Sequence, residues 1–185
     1  GGGNLSVSAG RDIAGSAFLV GRGVGRVEAG GDVGVDRATQ LYVMGVSSGD
    51  VPEQASIDLV AGGSLSLQSV NNPTAMFVAN KDASDAASGP SFGSQGSFST
   101  FFTYSANSRA GAVSKSGDLT YQAVLPATWR TFNRISPINS IHTDIPGAFP
   151  AALSFVAFEG DLTGPSLIDA LTTFPSATAT VAFLA

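Results

Sequence analysis

The sequence predicts an all-β chain wound as a β-solenoid, and three observations carry that expectation. A phrase of the form Ala-Gly-(Gly/Arg)-(Asp/Ser)-hydrophobic recurs at Ala9–Ile13, Ala29–Val33 and Ala61–Leu65, with shorter echoes at Ser116–Leu119 and Phe158–Leu162. Alternating apolar residues precede it, as in Leu5, Val7 and Ala9, the period-two mark of a strand with one buried face. Charged residues are only 12% of the chain, about half the usual share of roughly 25%, and glycine supplies 23 of 185 residues. An ordinary β-sandwich with Gly-rich turns is the competing architecture, but it gives no reason for one phrase to return.

In chain order, Gly10 breaks the first strand, Asp12 marks a turn and Ile13 opens the next buried segment. Gly and Asp or Asn suit such corners because they tolerate left-handed backbone conformations. Asp12 to Asp32 is 20 residues, taken as the span of one turn of the coil. The following steps, 32 to Ser64, 54 to Asp118 and 43 to Asp161, then read as one turn with an extra loop and two near-multiples. Ser16–Val20 and Gln40–Met44 read as buried strands, and residues 46–56 as a loop, with Pro52 unsuited to a central strand.

Two excursions leave the coil, at about 71–98 and 121–152. The first opens on the turn signal Asn71-Asn72-Pro73 and is rich in Ser, Gly and Ala, with room for a short helix over Asp82–Ala87. Ser99–Tyr104, aromatic and β-prone, returns the chain to the sheet. The second holds Pro126, Pro137, Pro146 and Pro150, too many for a continuous central strand, and Trp129, Phe132 and Phe149 are its expected anchors. Ala151–Phe158 alternates again, Leu167–Leu171 allows about one helical turn, and Thr178–Leu184 is the last strand. The expected unit is therefore one solenoid segment over residues 1–185.

The totals exclude several functions. A net charge of −5 with nine scattered basic residues, Arg22 and Arg26 being the nearest to a cluster, gives no footprint for nucleic acid. No run of about 18 apolar residues is present to span a bilayer. Cysteine is absent, which suits a chain that crosses a narrow pore before folding. The start on Gly1-Gly2-Gly3, within a repeat phrase and without Met, and the end on an apparent strand suggest a piece of a larger protein.

The pieces GGNLSVSAGRDI, VEAGGDVGV, VAGGSLSL, STFFTYSANSRAGAVSKSGDLTY and FPAALSFVAFEGDLTG together resemble the secreted filamentous haemagglutinin-like exoproteins of Gram-negative bacteria. Residues 80–98 and 127–145 carry little of the likeness. The resemblance implies a right-handed parallel β-helix, export by two-partner secretion through an outer-membrane pore, and a secreted or cell-surface adhesin that contacts surface glycans or proteins. The family's N-terminal secretion-signal pattern is not seen, which implies a shaft segment.

Chemistry is sparse. His142 is the sole histidine, and His142-Thr143-Asp144 would be the core of any Ser-His-Asp scheme; a solvated loop histidine is the simpler reading. Gly30–Asp36 superficially matches calcium-binding β-rolls, yet its glycine step is one residue too long and the unit is not in tandem. Gly21–Gly25 resembles a phosphate loop, but strand rather than helix follows it, so a flexible corner is expected. A polysaccharide lyase or hydrolase on the same fold would draw on Asp118, Arg130, Arg134, Asp144 and Asp161, whose spacing does not converge on one repeat position. Phe92, Phe98 and Tyr104 could stack on sugars, with burial the preferred role. No catalytic, metal or cofactor-binding residue is assigned, and the expected function is structural and adhesive, with an enzyme or a passive spacer as alternatives.

Overall fold

The computed structural model describes residues 2–45, 54–73, 103–122, 148–164 and 172–185. Its strands are β1 (Leu5–Ala9), β2 (Ala17–Val20), β3 (Gly23–Ala29), β4 (Thr39–Val43), β5 (Ala55–Ala61), β6 (Leu65–Asn71), β7 (Ser108–Ser114), β8 (Leu119–Tyr121), β9 (Ala148–Phe149), β10 (Ala152–Ala157), β11 (Leu162–Thr163), β12 (Thr172–Thr173) and β13 (Thr180–Leu184). Six of them form one sheet in the order β1-β3-β5-β7-β10-β13, five form a second in the order β11-β8-β6-β4-β2, and β12 pairs with β9. Every strand pair among the described residues is parallel. The fold is thus all-β, with parallel strands in two sheets, and the chain alternates between them. One strand of the larger sheet followed by one of the smaller makes one pass of the chain. No helix among the described residues is long and apolar enough to cross a membrane.

Register explains why the alternating residues matter. Val7, Val27, Leu59, Ala112, Phe155 and Phe183 are successive partners across the six-stranded sheet, and Leu5, Gly25, Ile57, Ala110, Leu153 and Val181 form the neighbouring column. The smaller sheet answers with Ile13, Val33, Leu65, Leu119 and Leu162, joined by isolated bridges and strand pairing. Both sets meet in one apolar core in which Val27, Leu59 and Leu119 are fully buried and Leu5 and Leu162 pack at the periphery. Small residues fill the column where a neighbour is large: Phe155 stands beside Ala112, and its ring lies 4.9 Å from Tyr121 and 5.5 Å from Phe183.

The spacing expectation needs correction. The 54- and 43-residue steps are not multiples of a 20-residue turn, because β5 pairs directly with β7 and β7 directly with β10. Each step is one pass, whatever the number of residues between the paired strands. Asn71 and Tyr121, assigned to the excursions, end β6 and β8, while Phe149 and Ala152 belong to β9 and β10. Phe149 is half-buried against the core. Likewise Ala55 and Ser56 are the buried start of β5 rather than loop, and β2 has only Val20 buried, with Leu19 54% exposed.

Ser99–Tyr104 was expected to rejoin the sheet. Its described end, Thr103 and Tyr104, is not strand, and the chain rejoins at Ser108 through Ser-Arg-Ala-Gly-Ala-Val-Ser. Tyr104 is buried edge-on to Phe174 at 6.2 Å. The helices expected at Asp82–Ala87 and Leu167–Leu171, and the anchors Trp129 and Phe132, lie outside the described residues.

Burial pushes the Tyr121 phenol up to about 12, against a hydrogen bond at Val70 that pulls it down, and Tyr104 is also raised, by burial first and then by Tyr121. A phenol held neutral in the folded state but free to ionise when unfolded stabilises the fold below its unfolded pKa, and that contribution is lost as pH rises. Stability should therefore be level up to about pH 10 and then fall towards pH 12 by about 1.4 kcal/mol per pH unit per tyrosine. Urea denaturation at pH 8, 10.5 and 11.5 measures this, and Tyr121→Phe should flatten the slope.

Candidate functional site

The recurring phrase forms an interlock at the corner between the two sheets. The Asp32 N–H donates to Asp12 Oδ1 at 2.8 Å, the Ser64 N–H to Asp32 Oδ1 at 2.7 Å, and the Asp161 N–H to Asp118 Oδ1 at 2.9 Å. Backbone bonds run the other way, from Ile13 N–H to the Asp32 carbonyl, from Val33 N–H to that of Ser64, and from Leu119 N–H to that of Asp161. Each corner is therefore closed by the pass that follows it. At Ser64, where a hydroxyl replaces the carboxylate, Leu65 N–H donates to the Asp118 carbonyl, while the Ser114 and Ser116 hydroxyls donate to the carbonyls of Gly63 and Gly62.

This geometry revises the reason for the glycines. Among the described residues the left-handed glycines are Gly15, Gly23, Gly34 and Gly45, none of which belongs to the recurring phrase. In the phrase the glycines are required by close approach. A Cβ on Gly31 would overlap the Asp12 carboxylate and one on Gly63 the Asp32 carboxylate, while one on Gly30 would come within 2.5 Å of the Gly10 carbonyl oxygen. The residue before the corner Asp or Ser must lack a side chain because the corner residue of the previous pass occupies that space. Arg11 keeps its side chain because no aspartate of the described residues lies beneath it.

Of the five residues a lyase or hydrolase would draw on, Asp118 and Asp161 are brought together, since they occupy the same corner in consecutive passes. Their meeting builds a cap, in which one carboxylate oxygen accepts a backbone N–H. Asp32, in the calcium-like stretch, is likewise engaged with Ser64, and the N–H of Asp36 donates to the Ala14 carbonyl. In the phosphate-loop candidate strand follows as expected, but the corner is confined to Gly21 and Arg22, because Gly23, Val24 and Gly25 already belong to β3. His142, Asp144, Arg130, Arg134, Phe92 and Phe98 lie outside the described residues.

Asp32→Ala should cost about 1 kcal/mol by removing the acceptor for the Ser64 N–H, whereas Asp32→Asn keeps an oxygen at that place and should be nearly neutral. The difference in urea midpoint between the two variants is the measurement.

Sequence reasoning missed how the charges are distributed. Arg26 and Glu28 of β3, Asp58 of β5 and Arg109 of β7 alternate with the buried residues, so they project from the outer face of the six-stranded sheet. Arg109 pairs with Asp58 at 2.6 Å, and Arg26 donates from Nε to Glu28 at 2.9 Å. That pairing raises the Arg26 pKa and lowers that of Glu28. The Asp58 carboxylate lies over Gly111, where a Cβ would come within 2.7 Å of it. By contrast, β2, β4, β6, β8 and β11 contain no charged residue at all. The period-two pattern held this signal: residues between the buried ones include charges in β3, β5 and β7 of one sheet and none in any strand of the other.

Comparison with family models, with curated proteins and with solved structures gives no match.

Proposed function

We propose that the chain is a right-handed parallel β-helix forming a structural and adhesive segment of a secreted, filamentous haemagglutinin-like surface protein exported by two-partner secretion. The observation that carries this reading is the alternation of the chain between two parallel sheets, with the same corner interlock at Asp12, Asp32 and Asp118. Stability in such an arrangement comes from neighbouring passes, so it suits a shaft extended by repetition. Weak contacts multiplied along a shaft hold cells or surfaces by avidity. The corner carboxylates are engaged in backbone capping, which favours a structural role over hydrolysis.

The test is attachment. Beads coated with the 185-residue chain should bind epithelial or bacterial cells above albumin-coated controls, and the soluble chain should release no reducing ends from acidic polysaccharides. Reducing-end release would overturn the reading in favour of a carbohydrate-active enzyme. Folded protein on beads that do not attach would leave a passive spacer.

A further inference from the structure

The outer face of the five-stranded sheet carries a hydrogen-bonded chain of uncharged side chains. Tyr42 Oη donates to Gln40 Oε1 at 2.7 Å, and Gln40 Nε2 donates to Gln68 Oε1 at 2.7 Å. The direction of donation leaves the Gln68 amide nitrogen as the donor end and the Tyr42 oxygen as an acceptor end. Gln68 reaches this position because the register slips between Thr39 and Gln40: Thr39 pairs with Leu67 and Gln40 with Ser69, so Gln68 is the extra residue of a bulge. Bulges re-aim side chains and are frequent beside functional sites. Leu19, exposed and in register with Tyr42, lies alongside, and further along the face Thr120 and Thr163 share a hydroxyl contact of 3.1 Å.

We propose that this face, centred on Gln40, Tyr42 and Gln68, binds a neutral polysaccharide. The inference rests on the adhesive reading and deepens it by naming the ligand class. Charge decides against acidic polymers: a charged ligand settling here would give up hydration with no opposite charge in return, because no strand of this sheet bears one. Geometry decides against an extended peptide, which adds to a sheet edge through unpaired backbone groups; β4, which carries Gln40 and Tyr42, lies inside the sheet and pairs with β2 on one side and β6 on the other. A sugar hydroxyl both donates and accepts, matching the two ends of the amide chain, and the apolar face of a pyranose ring packs on an aromatic ring. Successive strands repeat at roughly 4.8 Å, close to the length of one sugar unit in an extended chain, so a polysaccharide crossing the strands meets polar groups at its own period.

The experiment is affinity electrophoresis of the 185-residue chain through native gels containing hydroxyethyl cellulose, galactomannan or dextran, with heparin as the charged comparison. At least one neutral polymer should retard the protein, with a dissociation constant that changes less than twofold between 50 and 500 mM salt. Tyr42→Ala and Gln68→Ala should each weaken retardation about tenfold or more, while Arg109→Ala on the opposite sheet leaves it unchanged. A thermal midpoint for every variant shows that it is folded, and Tyr42→Phe, which keeps the ring, guards against a variant that is not. The proposal is overturned if no neutral polymer retards the chain, if folded Tyr42→Ala binds as before, or if heparin alone retards it in a salt-sensitive way. Bead attachment separates the two readings: beads that attach equally well with Tyr42→Ala keep the adhesive function and remove this face from it.

Discussion

Phe155→Ala is expected to destabilise the protein by about 3–5 kcal/mol, the range for emptying a phenylalanine site in a packed core. Phe155 is the largest of the fully buried side chains among the described residues and stands where both sheets meet: it shares a column with Leu59 and Val27, and its ring contacts Tyr121 from the smaller sheet and Phe183 from β13. Neighbours cannot close the gap readily, because the next residue in the column is Ala112, whose methyl group has no length to spare, and because the backbones are pinned by pairing on both sides. The urea midpoint should fall at unchanged m-value. Phe155→Leu should cost much less, since it keeps most of the volume. Equal losses for the two variants would mean that the site is not packed as described.

The second large effect is steric. Gly62→Ala should cost about 1–3 kcal/mol, the range for overpacking a close-packed site, because the added methyl would overlap the Gly30 carbonyl of the preceding pass, which is backbone and cannot rotate away. Gly10→Ala, at the equivalent place in the first described pass, meets nothing within 4 Å and should be neutral or slightly stabilising. The same substitution in the same phrase thus gives opposite outcomes in two passes. Two equal losses would point to local backbone conformation and against the interlock.

The glycine comparison shows where the sequence was legible and where it was not. The alternation at Leu5, Val7 and Ala9 and at Ala151–Phe158 reports a buried face directly, because side-chain direction in a strand follows from position alone. The recurrence of the phrase was visible, but its cause was not, since the atom that forbids a side chain at Gly31 or Gly63 belongs to an aspartate about a pass earlier. The strand at Ser108–Ser114 was obscured for the same reason: Ala110, Gly111 and Ala112 have weak strand preference, and their size is set by Ile57, Asp58 and Leu59 across the sheet. The steps of 54 and 43 residues invited division by 20, although pairing counts strands and is indifferent to the residues between them. The neutral face depended on Gln68, which an uninterrupted register would have placed elsewhere.

That indifference separates contour from height. Six strands set side by side at roughly 4.8 Å occupy roughly 24 Å, whether a given layer consumes 20 residues or 43. Because closing a longer loop costs only logarithmically more, surplus chain can be added laterally at little thermodynamic expense and contributes nothing to elevation. Selection on such a molecule can therefore vary its ornament and its stature independently: the first by lengthening a layer, the second only by adding one.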